Sequence, residues 1–151
     1  MAVTDDQVAA LHAQLAGRTD EHRRLLNKLD RAKANEGYAA LITAAFFEAT
    51  ERRFIKDGTV ANNAEVIDFV ASLRATSNEI PDIIDPKLAE LFINYVLGKL
   101  PTDALQSIDD EIAFGMKILL LAGLIRDLQF NEAELSEFLA KARADAEELF
   151  E

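Results

Sequence analysis

The stretch Ile118-Leu119-Leu120-Leu121-Ala122-Gly123-Leu124-Ile125 decides the fold, because these eight consecutive residues are uncharged and form a helix that is apolar on every side. Lys117 and Arg126 close the stretch at its two ends. A membrane-spanning helix needs about 20 apolar residues, so this stretch is too short to cross a bilayer. A helix that is apolar all round is buried in protein instead. The sequence therefore predicts a buried central helix, over about residues 108–128, against which other helices pack.

The composition of the chain is that of a globular domain. The 151 residues are 50% hydrophobic and 28% charged. A chain of this length buries about two thirds of the surface that its unfolded form exposes. We therefore expect a single helical domain over residues 1–151, with residues 1–35 as an N-terminal helical hairpin or arm.

The residues that are missing from the sequence also exclude several classes of protein. Cysteine is absent, which excludes a disulfide framework, a thiolate nucleophile and a cysteine-based zinc site. The N-terminal residues lack the basic and apolar regions of a secretory signal. The sequence therefore favours a cytoplasmic protein.

Apolar residues recur at helical spacing along almost the whole chain, and no segment alternates as a sustained strand does. This pattern predicts an all-α bundle of about six to eight helices. Gly17 interrupts the first apolar stripe, so either a second helix starts at Thr19 or one long helix continues through a weak point. The third helix is expected from Glu36 to Ile55 with its stop at Asp57-Gly58, and the last helix from Glu132 to Phe150.

Capping residues predict where the helices begin, because their side chains accept hydrogen bonds from backbone N–H groups of the first turn. The candidates are Thr4 with Gln7, Asn62 or Asn63, Asp85 before Pro86, Ser107 with Asp110, and Asn131. Between two of these helices, residues 76–86 contain two prolines and three acidic residues among isoleucines, which predicts an ordered loop.

Two glycines of the predicted central helix, Gly115 and Gly123, lower its intrinsic helix propensity. A glycine inside a helix lets another backbone or side chain approach closely. We therefore expect a neighbouring helix to lie against both positions.

The charge of the chain is strongly acidic, with a net charge of -11. Residues 1–35 carry six basic and five acidic side chains, residues 36–125 seven and fourteen, and residues 126–151 three and eight. Such a balance repels nucleic-acid phosphates and anionic lipid headgroups, and it attracts basic proteins over long range. The charge therefore predicts neither a nucleic-acid nor a membrane partner, and favours a basic protein partner or self-association.

The basic side chains near the N-terminus offer a complement to the acidic last helix. They form one basic patch without interleaved aromatic residues, which does not match a nucleic-acid surface: Arg18, Arg23, Arg24, Lys28, Arg31 and Lys33. We expect this patch to complement the acidic last helix, within one subunit or across a dimer. The predicted interaction surface consists of Arg23, Arg24, Lys28 and Arg31 together with Glu132, Glu134 and Glu137.

The sequence has no residue pattern that identifies a catalytic, metal or cofactor site. His12 and His22 are ten residues apart and form no Glu-x-x-His pair, so they are interpreted as helix-face residues. Lys117 is the one charged residue near the apolar stretch that suggests an activated amine, but Asp110 lies two turns earlier on nearly the same side and favours an ordinary charge partner.

Aromatic residues cluster in the predicted third helix and provide either a ligand pocket or core packing. They are Tyr38, Phe46, Phe47 and Phe54.

Three function hypotheses follow from these observations. The favoured one is a non-enzymatic interaction module that binds a basic protein. The others are a homo-oligomeric structural or regulatory protein and a small-ligand-binding domain with a pocket beside the central helix.

Overall fold

The computed structural model describes residues 3–28, 31–76 and 85–148, and within these residues it contains seven helices and two short strands. This confirms the predicted all-α fold and the number of helices. The helices are α1 (Asp5–Leu15), α2 (Thr19–Lys28), α3 (Arg31–Phe54), α4 (Asn63–Arg74), α5 (Pro86–Val96), α6 (Asp110–Leu128) and α7 (Glu132–Glu148), and the strands are β1 (Ile55–Lys56) and β2 (Thr59–Val60). Most of the predicted loop over residues 76–86 lies outside the described residues.

Two reciprocal capping boxes fix the first and the last helix. The Thr4 hydroxyl accepts a hydrogen bond from the Gln7 N–H at 3.2 Å, and the Thr4 N–H donates to Gln7 Oε1 at 3.0 Å. In the same way, the Glu134 N–H donates to Asn131 Oδ1 at 2.8 Å and the Asn131 N–H donates to Glu134 Oε1 at 3.0 Å. Both predicted helix starts are confirmed.

Two further helix starts follow the predicted caps. The Asp85 carboxylate accepts from the N–H of Lys87 at 2.9 Å, while Pro86 occupies the first turn, where no backbone N–H is needed. Asn62 rather than Asn63 caps α4, because its side chain accepts from a backbone N–H three residues on. The structure thereby decides between the two asparagines that the sequence left open.

The predicted cap of α6 is wrong. The sequence suggested Ser107 paired with Asp110, but the Asp109 carboxylate accepts from the Glu111 N–H at 2.9 Å. The helix begins at Asp110, one residue after this cap. Ser107 lies two residues too early because residues 102–107 are occupied by turns that precede the helix.

Gly17 separates α1 from α2. It has a φ of 78°, which is a left-handed conformation that glycine adopts without steric cost, and α2 starts at Thr19. The chain therefore forms two helices here rather than one, and α1 packs against α2. The next helix, α3, begins at Arg31, five residues before the predicted Glu36.

A small hairpin follows α3, and the periodicity of the sequence did not predict it. The helix ends at Phe54, and Asp57 and Gly58 have φ of 53° and 78°. Two successive positive φ values are typical of a type I′ turn, whose twist suits a two-residue hairpin loop. Strands β1 and β2 pair antiparallel across it. With two residues in each strand, the hairpin is too short to show alternation.

The chain divides into two compact units, Met1–Glu48 with Gln129–Glu151 and Ala49–Leu128. In the first unit α7 packs against α1. One face of α7 is buried: Leu135, Phe138, Leu139, Ala142 and Ala146 are all less than a tenth exposed. The single domain over residues 1–151 and the N-terminal arm stay predictions.

The N-terminal segment of the first unit is tied to α7 by its backbone. Val3 is fully buried, its N–H donates to Glu147 Oε1 at 2.9 Å, and its carbonyl accepts from the Arg143 guanidinium at 2.9 Å. The same guanidinium pairs with Asp5. Because both backbone groups of a buried residue are satisfied, this segment is part of the folded unit.

The second unit contains α4, α5 and α6, with α4 packed against α5 and α5 against α6. Phe54 and Phe69 meet edge to face, with ring centroids 5.6 Å apart. Leu120, Leu121 and Leu124 of the decisive stretch are at most 1% exposed. The prediction that this stretch is helical and supplies core leucines is therefore confirmed.

Candidate interaction surface

One face of α6 is open to solvent although its sequence is apolar. Ile112 is 54% exposed, Ala122 is exposed, and Gly115 and Leu119 are half-buried. These four residues follow each other at intervals of three and four, so they lie on one side of the helix in the spacing of a coiled-coil seam. We call them the open seam.

The open seam corrects the expectation that α6 is buried on every side. The fully buried Leu120 and Leu124 lie on the opposite side of the helix, while Ala122 between them in sequence faces solvent. The sequence could not reveal this difference, because every side of the stretch is apolar. Which side is covered depends on where the neighbouring helices lie.

Residues of opposite charge bracket the open seam. Glu111 is exposed in the first turn of α6, and Arg126 is exposed in the last turn, with 46% of its side chain accessible. The Arg126 guanidinium reaches Asp127 at 3.9 Å, but the Asp127 carboxylate also accepts from Arg53 at 3.4 Å. Between Glu111 and Arg126 the seam itself contains no charged side chain.

The two glycines of α6 differ in their surroundings. A Cβ atom placed on Gly123 would lie 2.9 Å from Leu73 Cδ1 and 3.3 Å from Phe69 Cζ, both on α4. This confirms the predicted close approach at Gly123. The same prediction is wrong for Gly115, since a Cβ atom there would meet no atom within 4 Å. Gly115 therefore has room for a larger side chain, because it lies on the side of α6 that forms the open seam.

Lys117 is half-buried. It lies two residues from both Gly115 and Leu119, a rotation of about 200° on an α-helix, so it is on the side of α6 away from the open seam. Burial lowers the pKa of its ammonium group, and the negative charge of Asp110 acts in the opposite direction. The structure thus retains the charge partner that the sequence indicated.

The two histidines have structural partners within the first unit. His12 Nε2 lies 3.0 Å from Glu132 Oε1, and His22 Nδ1 lies 2.7 Å from the carbonyl oxygen of Ala10. Among residues 3–28, 31–76 and 85–148, no group of three or more His, Asp or Glu side chains could hold a metal ion.

The predicted charged surface is brought together in part. Glu132 at the start of α7 lies 3.5 Å from the Arg18 guanidinium, in addition to its contact with His12. Glu134 closes the capping box of its own helix. The predicted basic patch therefore forms an ion pair with α7 within one chain, and it does so through Arg18.

The remaining residues of that predicted surface are exposed or lie beyond what the structure describes. Arg23 and Arg24 are exposed on α2, and Glu137 is exposed on α7. In the part of the chain that the structure describes, neither arginine forms an ion pair with α7. The side chains of Lys28 and Arg31 lie outside the described residues. Contact of this surface with a partner stays a prediction.

The aromatic residues of α3 lie in the cores of the two units. Tyr38 and Phe46 are buried, and burial raises the pKa of the Tyr38 hydroxyl to about 12. Phe46 contacts Phe47 edge to face, with ring centroids 6.1 Å apart, whereas Phe54 contacts Phe69 in the second unit. The core-packing interpretation is sufficient for these contacts, and a ligand pocket stays a prediction.

The functional interpretation depends on the geometry of the chain itself. Comparison with protein-family models, with curated proteins and with solved structures found no match. In the described ranges, no helix combines the length and the apolar character needed to cross a membrane. Of the surfaces described above, the open seam is the one whose composition differs most from an ordinary solvated helix face.

Proposed function

We propose that the protein is a non-enzymatic protein–protein interaction module and that the open seam of α6 is its interaction surface. One observation carries this proposal: four apolar positions at coiled-coil spacing lie exposed or half-exposed on the most apolar helix of the chain. Isolated exposed apolar side chains, such as Ile67 at 48%, are normal on protein surfaces. An aligned set without an intervening charge is characteristic of a binding site.

The chemistry of the seam fits a helix as its occupant. Apolar side chains repeating at intervals of three and four match the apolar stripe of a second helix. Gly115 and Ala122 are small, which lets another helix come close, and Ile112 and Leu119 supply the apolar area that drives association. The charges at Glu111 and Arg126 mark the two ends of the stripe.

The net charge of -11 governs which foreign protein the module would attract. A basic protein is steered toward an acidic surface, so its association rate falls as salt is raised. We retain a basic protein as the expected heterologous partner. The same charge disfavours nucleic acid and anionic membranes as partners.

A matched pair of substitutions tests the proposal. Ala122→Glu places a charge in the seam, whereas Ala71→Glu makes the same change at an exposed alanine in the middle of α4 in the same unit. We expect both variants to fold, since both alanines are exposed. A tagged bait should lose at least about tenfold of a bound protein in Ala122→Glu and retain it in Ala71→Glu.

The measurement is quantitative co-purification from native lysate in which an untagged copy of this chain is also present. A protein retained by wild type and by Ala71→Glu, but lost by Ala122→Glu, identifies the seam as the binding surface. Equal recovery by the two variants, or no protein recovered by wild type, contradicts the proposal. For any heterologous partner found, an association rate that does not fall with added salt contradicts the role given to the acidic charge.

A further inference from the structure

We infer that the occupant which best fits the open seam is a second copy of this chain, with the two α6 helices antiparallel about a two-fold axis between Ile118 and Leu119. This inference rests on the proposed function of the seam as a helix-binding surface. It names the partner and the orientation, and it follows from the order of residues along α6.

The small residues of the seam face each other in the antiparallel direction. A two-fold axis between residues 118 and 119 places Gly115 opposite the partner's Ala122, and it places Leu119 opposite the partner's Ile118, a half-buried residue that lies next to the seam. Small residues thus meet small residues, which allows the two backbones to approach, and the two large side chains meet at the axis. Because a two-fold interface repeats every contact, each of these pairs occurs twice.

The charges that bracket the seam select the antiparallel orientation. The same axis places Glu111 opposite the partner's Arg126, so two pairs of opposite charge form at the ends of the interface. In a parallel pair, Glu111 would face the partner's Glu111 and Arg126 would face the partner's Arg126, which is unfavourable at both ends. Antiparallel helices also have opposed dipoles, which adds to the same preference.

The length of α6 is sufficient for this pairing. Glu111 and Arg126 are separated by fifteen residues, or about 22 Å along a helix that rises 1.5 Å per residue. Both lie inside the 19-residue helix Asp110–Leu128. Two copies centred on the axis therefore overlap over the whole seam, with each end charge still carried by a regular helical turn.

Two effects limit the strength of the dimer. Each copy has a net charge of -11, so the copies repel over long range. The seam has four residues on one helix, whereas a standard interface has about 20–30 residues on each partner. We therefore expect a dissociation constant on the order of micromolar rather than nanomolar, and an equilibrium between monomer and dimer at concentrations used for sedimentation.

Charge exchange at the ends of the seam tests both the partner and its orientation. Glu111→Arg places arginine opposite the partner's Arg126, and Arg126→Glu places glutamate opposite the partner's Glu111. Each single variant should weaken dimerisation about tenfold. The double variant Glu111→Arg/Arg126→Glu restores opposite charges and should dimerise within about threefold of wild type. Sedimentation velocity over a concentration series measures these constants.

The net charge provides an internal control for this experiment. Glu111→Arg makes the chain less negative by two charges, so it would strengthen a dimer that is governed by overall repulsion alone. The antiparallel seam predicts the opposite sign. A stronger dimer in Glu111→Arg, or a double variant that stays as weak as the singles, overturns the inference. Far-UV circular dichroism of each variant confirms that these exposed substitutions leave the helices intact.

Crosslinking tests the position of the axis without changing the charge. The chain has no cysteine, so Leu119→Cys introduces one thiol beside the axis, and Ala71→Cys is the matched control on an exposed face of α4. Mild oxidation should give a covalent dimer for Leu119→Cys at least about tenfold faster than for Ala71→Cys. Equal rates overturn the inference.

The failure of the dimer and the failure of the proposed function are distinguishable. If wild type stays monomeric at high micromolar concentration while Ala122→Glu still loses a foreign protein, the dimer is wrong and the interaction surface stands. If Ala122→Glu and Ala71→Glu behave alike in sedimentation and in co-purification, both the dimer and the interaction surface are wrong.

Discussion

The same substitution at two glycines of α6 should have opposite effects on stability. Replacing glycine by alanine inside a helix gains about 0.8–1.0 kcal/mol of helix propensity. At Gly115 the added Cβ meets no atom within 4 Å, so Gly115→Ala should stabilise the second unit by about 1 kcal/mol. For a chain of this size, that corresponds to a rise in melting temperature of about 2–4 °C.

At Gly123 the gain in propensity is opposed by contact with α4. The added Cβ would lie 2.9 Å and 3.2 Å from the two methyl groups of Leu73, and 3.3 Å from Phe69 Cζ. Both neighbours are buried, so they must move within a packed core, at a cost of about 1–2 kcal/mol because the contacted atoms are the ends of side chains. Gly123→Ala should therefore be neutral or destabilising, about 1–2 kcal/mol less stable than Gly115→Ala.

Urea denaturation followed by circular dichroism, at low micromolar concentration, measures this difference. Both glycines lie in the unit Ala49–Leu128, so the same transition reports on both variants. Leu73→Ala supplies a further control, because it removes the contacted methyl groups. In that background Gly123→Ala should stabilise by about 1 kcal/mol. If Gly123→Ala is as stabilising as Gly115→Ala in the wild-type background, the close approach of α4 to α6 is wrong.

Two further predictions concern buried side chains. Leu120 is fully buried, so Leu120→Asp should unfold the unit or lower its unfolding free energy by several kcal/mol in a urea titration. Ile112→Asp, at an exposed position, should change the unfolding free energy little. If the melting temperature of Leu120→Asp equals that of wild type, the burial of this residue is wrong. Burial raises the pKa of Tyr38 from 10.0 to about 12, so on titration the hydroxyl loses its proton at a higher pH in the folded state than in the unfolded state. The contribution of the protonated hydroxyl to folding stability is therefore fully present below pH 10 and is lost as the pH rises through 12. The difference in unfolding free energy between wild type and Tyr38→Phe should shift by about 3 kcal/mol across that window, and a constant difference refutes the assignment.

The helix boundaries were largely predictable because capping is a local interaction. Thr4, Asp85 and Asn131 each accept a hydrogen bond from a backbone group two or three residues away, so residue type and short spacing suffice to identify them. The predicted cap at Ser107 was wrong, because the Asp109 carboxylate, two residues later, accepts the backbone hydrogen bond at the start of α6.

The candidate interaction surface was missed because its signal was present but not distinctive. The spacing of Ile112, Gly115, Leu119 and Ala122 can be read from the sequence, but so can other apolar stripes around the same helix. Nothing in the order of residues distinguishes a stripe that contacts α4 or α5 from one that contacts water. The sequence also could not show which charged residues form ion pairs, because opposite charges far apart in sequence need not be neighbours in the fold.

The sequence by itself determined that this chain is helical, where most helices begin, and that the leucines near residue 120 are buried. These properties depend on hydrophobic periodicity and on hydrogen bonds within a single turn. Only the tertiary structure decided which side of α6 is open and why Gly115 and Gly123 differ. Those properties depend on the position of α4, about fifty residues away in the chain, whose side chains cover Gly123 and do not reach Gly115.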